Sequence, residues 1–297
     1  MTALVSAYAR AQESGRAAPL VDDPLARAFV LAATGEPATA AERELPRLGP
    51  ARDDADSPLW YSLCTMFVAR APFYDEVVLR AIGRGCRQVV LLGAGLDVRS
   101  HRLALPADTT VYEVDSADVL DFKESVLAGA GASARARRVL VPADVRARWS
   151  EALVGGGLDP AAPTVWIAEG LLPYVTAAEA DAILADVTRL SAPTSSIGCD
   201  YLNRRARLDD YVSSDADEAA TWRMLVTAGR TGPELEPYEW LSRQGWVPRR
   251  HDVLRLVRDA GREIPVLFEP ARADPLRHWL VSATLPVPHP AGGLAAR

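Results

Sequence analysis

The sequence predicts an α/β fold in which helices cover both faces of a mostly parallel, doubly wound sheet. Five short apolar runs, rich in β-branched residues, alternate with helix-patterned segments between residues 88 and 202. Right-handed crossovers between parallel strands place the intervening helices on both faces of the sheet. With 297 residues and a hydrophobic content of 49%, the chain can fill the core of one such domain with additions.

The five strands are expected where the apolar runs are too short for helices. They are QVVLLG from residue 88, TVYEVD from 110, RVLVPAD from 138, TVWIAEG from 164 and SSIGCDYL from 195.

Two of the helices between these strands carry start signals. In SADVLDFKESVLAGAG, Ser116 can cap the helix and Asp118 suits its first turn, with Val119, Phe122, Val126 and Leu127 on one face. In TAAEADAILADVTRL, Thr176 and Glu179 have the spacing of a capping box.

Changes of pattern divide the chain into five parts. Residues 1–80 are helical in character and are expected to form a cap over the carboxyl ends of the strands, where open α/β sheets bind ligands. Residues 81–202 form the core, and the charged segment 203–244 is interpreted as an inserted helical lid. Residues 245–285 complete the sheet with a strand, a helix and a last strand that returns as a hairpin partner. Residues 286–297 are expected to be a flexible tail.

The composition favours a small-molecule partner. An excess of 39 acidic over 33 basic side chains gives a net charge of −6, which argues against nucleic acid and anionic membranes. The three cysteines and four histidines are dispersed, so neither a metal site nor a disulfide framework is expected. Without an apolar export signal or a membrane-spanning run, we expect a cytoplasmic protein. The pattern carries no information on oligomeric state.

The stretch QVVLLGAGLDVRSHRL ends the first strand in Gly93-Ala-Gly95. Glycines there let the backbone turn sharply and approach a ligand closely, although a tight turn alone would also explain them. The dinucleotide fingerprint requires glycine at position 98, where this chain has valine, and Asp97 would repel a pyrophosphate. A cationic adenosyl ligand, S-adenosylmethionine, is compatible with that carboxylate.

Acidic residues end the next three strands. Asp115, 20 residues after Gly95, is placed to accept from the ribose hydroxyls, or alternatively to cap the following helix. Asp144 can accept from an adenine amino group while the Val145 N–H donates to the ring. Glu169 follows an apolar strand and needs a cation, either the ammonium of a methionyl group or an internal arginine.

Together these motifs resemble the class I S-adenosylmethionine-dependent methyltransferases of the leucine carboxyl methyltransferase-like family, which includes bacterial O-methyltransferases that tailor polyketides. The resemblance covers nearly the whole chain and rests on LVSAYARAQESGRAAPLVDDPLA, VLLGAGLDVRSHRL, VYEVDSADVLDFKESVL, VPADVR, TVWIAEGLLPYV and WLSRQGWVPRRHD. It implies a Rossmann-like methyltransferase sheet and S-adenosylmethionine as cofactor.

The resemblance also implies roles for individual residues. Arg70 would bind the methionyl carboxylate, although an ion pair with Asp75 or Glu76 is an alternative. A longer set would contact the rest of the cofactor: Gly93, Gly95, Asp115, Asp144, Val145 and Glu169. The family commonly has threonine and leucine where this chain has Val98 and Val145.

The reaction expected is in-line methyl transfer, most simply to a carboxylate, which is ionised at neutral pH and needs no base. A hydroxyl acceptor would need one. The candidates, none in a dedicated motif, are Tyr174, His251, His101 and Glu169, so the pattern favours a carboxylate of a small metabolite.

Aromatic and Met side chains could hold a planar acceptor or serve as core. They are Tyr211, Trp222, Met224 and Tyr238 in the lid, and Trp60, Tyr61 and Phe67 before the sheet. Two other function classes stay open: an oxidoreductase that uses a nicotinamide dinucleotide, and a non-catalytic regulator that binds S-adenosylmethionine.

Overall fold

The fold is built on a seven-stranded mixed sheet with the strand order β5-β4-β3-β6-β7-β9-β8. The computed structural model describes residues 2–35, 45–46, 48–52 and 55–287. The strands are β3 (Gln88–Leu92), β4 (Thr110–Asp115), β5 (Arg137–Pro142), β6 (Thr164–Ala168), β7 (Ser196–Leu202), β8 (Val247–Asp252) and β9 (His278–Thr284). Two short strands, β1 (Ala51–Arg52) and β2 (Ala55–Asp56), pair with each other outside this sheet.

The predicted doubly wound α/β fold is confirmed. Strands β3 to β7 are parallel, and the order reverses between β3 and β6, so their carboxyl ends form one edge with a switch point in the middle. All five predicted strands form within one residue of their expected starts. The last strand, β9, pairs antiparallel with both β7 and β8.

Among the described residues before β3, four helices are present: α1 (Thr2–Ser14), α2 (Ala26–Ala33), α3 (Pro58–Ala69) and α4 (Ala71–Gly83). Residues of α1, α2 and α3 share one apolar cluster with Leu96 and Val98, which follow the glycine turn. Arg10 of α1 donates to the Leu96 carbonyl at 3.0 Å. The N-terminal helix is therefore fastened directly to the loop after β3.

The helices of the sheet region are α5 (Arg99–Arg102), α6 (Ala117–Gly129), α7 (Trp149–Gly155) and α8 (Ala177–Arg189). The capping box predicted at Thr176 and Glu179 is present at the start of α8. Ser116 takes the N-cap position of α6, but its side chain makes no capping hydrogen bond.

The inner face predicted for α6 was wrong in part. Leu120 and Lys123 are buried together with Val126 and Leu127, whereas Val119 faces a cavity. The reason is a buried ion pair, because Lys123 Nζ lies 2.8 Å from an oxygen of Glu113 on β4. Arg138 binds the same carboxylate through two contacts of 2.8 Å.

Residues after β7 form a helical segment that joins the edge of the sheet. It contains a 3₁₀ turn (Leu208–Asp210), α9 (Ala216–Ala228) and α10 (Pro237–Ser242). The Trp222 indole N–H of α9 lies 3.1 Å from the Arg207 carbonyl and anchors the helix to the preceding turn. Helix α11 (Val253–Asp259) and a 3₁₀ turn (Val266–Phe268) lie between β8 and β9.

Most of the predicted tail, residues 288–297, lies outside the described residues. In the part of the chain that is described, no helix combines the length and the apolar character needed to cross a bilayer.

Candidate active site

A cavity of about 600 Å³ runs along the carboxyl edge of the sheet, over the ends of β5, β4, β3, β6 and β7. Seven of its lining residues are those predicted to contact the cofactor: Arg70, Gly93, Gly95, Asp115, Asp144, Val145 and Glu169. Ala3, Ser6 and Arg10 of α1 also line it. The fold thus brings all seven predicted residues to one site, although they span 100 positions of the sequence.

The glycine turn needs both of its glycines. Gly93 and Gly95 have φ angles of 66° and 48°, which residues with a Cβ rarely adopt. A Cβ added at Gly93 would lie 3.3 Å from Leu171 Cδ1, and one added at Gly95 would lie 3.3 Å from Ala3 Cβ. The turn therefore keeps the backbone open to the cavity while it packs against two other elements.

Asp115 joins the glycine turn to the end of β4. Its Oδ2 accepts from the Gly95 N–H at 2.7 Å, and its Oδ1 accepts from the Ser116 N–H at 2.7 Å. The second contact is to the N–H of the N-cap residue and not to a first-turn N–H of α6, so it is not the helix cap given above as an alternative. An ionised carboxylate has about four lone-pair sites, so each oxygen keeps capacity for a ribose hydroxyl.

The end of β5 presents one acceptor and one donor. Asp144 forms an exposed two-point ion pair with Arg146, with N–O distances of 2.9 and 2.7 Å. Hydrogen bonds from Arg146 lower the pKa of Asp144. The Val145 N–H has no acceptor within the described chain, which leaves it available to a ring nitrogen.

Arg70 is buried and pairs with acids that are distant in sequence. Its Nε lies 3.1 Å from Glu169 and its Nη1 lies 3.1 Å from Asp200 on β7. The alternative ion pairs with Asp75 or Glu76 do not form, since those acids bind Arg102 and Arg80 instead.

Glu169 has the internal arginine partners that formed the alternative interpretation above. Besides Arg70, it binds Arg99 Nη1 at 2.8 Å. A methionyl ammonium would therefore join two guanidinium groups on this carboxylate.

Seven ionised side chains form one connected network that reaches the cavity: Arg70, Arg99, Arg102, Asp75, Asp97, Glu169 and Asp200. Three cations and four anions give it a net charge of −1. S-adenosylmethionine carries a sulfonium, an ammonium and a carboxylate, so its net charge of +1 would balance the network. A dinucleotide, with its negative pyrophosphate, would add further negative charge to a network that already carries −1. The donor and acceptor groups present therefore fit the predicted cofactor.

Two carboxylates of this network stay ionised although they are buried. Burial raises the pKa of Asp97, but the positive charges of Arg99, Lys123 and Arg102 lower it by more, so that the pKa is about 2. Burial also raises the pKa of Asp200, while Arg70 and His278 lower it well below its usual range. The network thus holds fixed charge at neutral pH.

Asp200 and His278 belong to the site and were not predicted from the sequence. The fully buried Asp200 accepts from the Tyr74 hydroxyl and, at 2.7 Å, from the Gly170 N–H. His278 at the start of β9 lines the cavity, and its Nε2 lies 2.6 Å from Asp200. An aspartate inside the apolar run SSIGCDYL was a signal of the same kind as Glu169.

His251, one of the candidate bases, does not line the cavity. It lies on β8 away from the cavity, packs against the Phe73 ring at 4.8 Å and lies 3.0 Å from the Ser282 hydroxyl. His101 is also outside the cavity, and burial lowers its pKa. Tyr174 does line the cavity.

The aromatic wall is smaller than the sequence suggested. Of the seven residues considered, Phe67 and Trp222 line the cavity, and Phe268 joins them. Met224 and Tyr238 are 42% and 50% exposed on the outer surface. Trp60 packs against Tyr8 in the N-terminal core.

The two ends of the cavity differ in charge. We call the end bounded by β3, β4, β5 and β6 the glycine side, and the end bounded by residues 202–206, 222–230, 267–268 and 276–278 the lid side. Acids on the glycine side are Asp97, Asp115, Asp144 and Glu169, with Asp200 at the border. Among the described lining residues, the lid side has no acid, but it has Arg205 and Arg230. No cluster suited to a metal ion occurs in the described chain.

Comparisons with known proteins agree with the sequence motifs. The sequence model of the leucine carboxyl methyltransferase family matches residues 3–188. A provisionally named S-adenosyl-L-methionine-dependent methyltransferase of Mycobacteroides abscessus is 37% identical over 295 residues, covering 96% of this chain and 92% of its own. A similarly named protein of Frankia alni is 40% identical and covers 89% of both chains. A solved structure of a provisionally named methyltransferase from Thermobifida fusca has a TM-score of 0.48 at 19% identity, covering 77% of this chain and 84% of its own.

Proposed function

We propose that this chain methylates a carboxylate oxygen of a small acceptor. The chain belongs to the leucine carboxyl methyltransferase family and is an S-adenosylmethionine-dependent methyltransferase. The acceptor would lie on the lid side of the cavity, next to the cofactor on the glycine side.

The observation that carries this proposal is the charge difference between the two sides. Arg10, Arg70 and Arg146 on the glycine side each bind a carboxylate of the protein. Arg205 and Arg230 on the lid side form no ion pair within the described residues. Arg205 makes only a 3.4 Å contact with the Val226 carbonyl, which leaves most of its five donors available. An anionic acceptor would be attracted to this end and kept away from the acids.

When bound, S-adenosylmethionine supplies a methyl group already activated on a positive sulfur. Arg70 would bind the methionyl carboxylate, Asp115 the ribose hydroxyls, and Asp144 with the Val145 N–H the adenine. Glu169 would accept from the ammonium. By fixing the methyl carbon in line with an acceptor oxygen, these contacts can lower the barrier by about 7 to 11 kcal/mol.

The lid side supports an acceptor with an apolar body. Its walls include Leu202, Trp222, Leu225 and Phe268, and Phe67 faces them from α3. Burial of a small aromatic or aliphatic body here would exclude water from the methyl group. A small metabolite acid, such as a polyketide-like compound, fits this combination of an apolar wall and two arginines.

A hydroxyl acceptor is the second candidate, and one observation favours it. His278 is bound to Asp200 in the manner of a base held by a carboxylate, and the sequence had offered no such pair. Hydroxyl methylation would use this pair to remove the acceptor proton.

The test is to incubate the full chain with methyl-labelled S-adenosylmethionine and panels of matched aromatic acids and phenols. We expect labelled products from acids that lose the methyl group in mild alkali, as esters do. An alkali-stable product formed only from phenols would overturn the proposal in favour of an ether. Calorimetry with NADH tests the oxidoreductase alternative, which tight binding of NADH would support. Binding of S-adenosylmethionine without methyl transfer to any acid or phenol would favour a regulator.

A further inference from the structure

We propose that His278, held by Asp200, binds the acceptor carboxylate together with Arg205 and Arg230, and that it does so as an imidazolium ion. This rests on the proposed carboxylate acceptor and deepens it. The role is distinct from those of the cofactor residues, because His278 lies on the lid side of the cavity.

Several neighbouring groups hold Asp200 and His278 in place. Asp200 is fully buried on β7, and Arg70, Tyr74 and the Gly170 N–H all donate to it, so its carboxylate cannot move freely. The 2.6 Å distance from His278 Nε2 is at the short end for hydrogen bonds between charged groups. Phe268 stacks on the imidazole at a centroid distance of 6.2 Å with the planes 27° apart. The orientation of the ring is therefore set from two directions.

One nitrogen of the ring remains for a ligand. With Nε2 donating to Asp200, Nδ1 has no hydrogen-bond partner in the part of the chain that the structure describes. Nδ1 is not one of the fully buried polar atoms that lack a hydrogen-bond partner. Because His278 lines the cavity, this nitrogen is accessible to a ligand there. A protonated Nδ1 can donate to one oxygen of an acceptor carboxylate, while the other oxygen faces the methyl group.

Charge balance favours the imidazolium form once the acceptor is bound. The buried network carries −1, and the cofactor brings +1. An acceptor carboxylate then adds a negative charge beside the buried Asp200, where an unpaired charge is costly. A proton on His278 would place a positive charge next to that carboxylate, in addition to the exposed Arg205 and Arg230.

The groups that face His278 act in both directions. Asp200 favours the proton, whereas Arg70, behind Asp200, opposes it, and Tyr74 donates to Asp200 without charge. Arg205 and Arg230 line the lid side and would share the acceptor's charge. Proton uptake on binding of the acid therefore distinguishes His278 from the two arginines, which cannot lose a proton.

The experiment uses the full chain loaded with S-adenosylhomocysteine, with 2-naphthoate as the probe and 2-naphthamide as its neutral match. Calorimetry at pH 7.5 in two buffers of different ionisation enthalpy measures proton uptake. We expect a fractional to full proton taken up per naphthoate bound and none with the amide. NMR of the four histidine rings should assign that proton to His278.

Two variants make the assignment specific. His278→Gln keeps a donor for Asp200 but cannot take a proton, so naphthoate should bind about tenfold more weakly and without proton uptake. His251→Gln, outside the cavity, should behave like the parent. Unchanged affinity for S-adenosylhomocysteine shows that each variant is folded.

The results that overturn the assignment also separate it from the proposed function. If naphthoate binds and is methylated but proton uptake is unchanged in His278→Gln, the imidazolium role is wrong and carboxylate methylation stands. If naphthoate does not bind while 2-naphthol binds and is methylated, both fail, and His278 is a base for a hydroxyl acceptor.

Discussion

At the scale of single residues, the site is an arrangement of charges in which most carboxylates already have a protein partner. Asp115 binds two backbone N–H groups, Asp144 binds Arg146, and Glu169 binds Arg70 and Arg99. These partners hold the carboxylates in fixed orientations before a ligand arrives. The cost of reorganisation on binding is thereby reduced.

Asp115→Asn tests the ribose contact. The amide has only one acceptor oxygen for the Gly95 and Ser116 N–H groups and the ribose. We expect the affinity for S-adenosylhomocysteine, measured by calorimetry, to fall roughly 10- to 100-fold, since hydrogen bonds to charged groups contribute about 1.5 to 3 kcal/mol. Asp118→Asn, exposed in the first turn of α6, should bind normally. Parent-like binding by Asp115→Asn would exclude the ribose role.

Arg205→Ala and Arg230→Ala test recognition of the acceptor's charge. Each should weaken binding of 2-naphthoate to the S-adenosylhomocysteine-loaded protein by about tenfold, or about 1.4 kcal/mol. Binding of 2-naphthamide should be unchanged. Arg255→Ala, an exposed arginine paired with Asp259, serves as the matched control. Loss of both ligands to the same degree would show that the arginines shape the wall and do not recognise charge.

At the scale of elements, the carboxyl edge of the parallel strands collects the site, and helices fix its parts. Helix α1 holds the glycine turn through Arg10, α4 begins just after Arg70, and α6 begins two residues after Asp115. The antiparallel pairing of β9 with β7 brings His278 beside Asp200. One strand that is last in the sequence therefore completes a site begun near residue 70.

Lys123→Met tests how α6 is held on the sheet. Lys123 is fully buried against Glu113, and its loss leaves that carboxylate with Arg138 as its remaining charged partner. We expect the free energy of unfolding in urea to fall by about 3 kcal/mol, the lower end for a broken buried ion pair. Glu124→Gln, which removes a partly exposed partner of Arg138, should cost less than about 1 kcal/mol. A loss of similar size in both variants would contradict a special role for the buried pair.

At the scale of the whole molecule, the cavity is divided by charge along the sheet edge. Adjacent strands are about 4.8 Å apart, so the three steps from β5 to β6 span roughly 14 Å of the sheet edge. The next positions, over β7 and β9, belong to the lid side. The order of strands thus determines the order of the charged side chains along the cavity.

Acid should destabilise the folded chain in a defined pH range. The pKa of Asp97 is about 2 in the fold, and that of Asp200 is also lowered, against about 3.9 for an unfolded chain. Depressed carboxylate pKa values add stability that is present above the unfolded value and is lost as the pH falls through the folded values. Urea unfolding between pH 6 and pH 2 should show a decline that begins near pH 4. Asp97→Asn should be less stable at pH 6 and show a shallower decline, and a parallel decline would contradict the assignment to Asp97.

The sequence alone was sufficient for the fold and for most of the residues that meet at the carboxyl edge of the sheet. Apolar runs of strand length, spaced by helical segments, determine a parallel sheet, and acids at strand ends must meet at one edge because parallel strands end together. Local signals also placed the capping box at Thr176. The inner face of α6 was missed in part, since periodicity cannot show that Lys123 would find Glu113.

What only the tertiary structure decided is which distant charges meet. Arg70 binds Glu169 and Asp200 rather than its near neighbours, and His278 rather than His251 reaches the cavity, because antiparallel pairing of β9 beside β7 carries it there. Long-range ion pairs depend on register and on which face of a strand is turned inward, and neither is written in local spacing. The sequence determined the fold and the class of cofactor, and the tertiary structure decided which charged side chains line the lid side of the cavity.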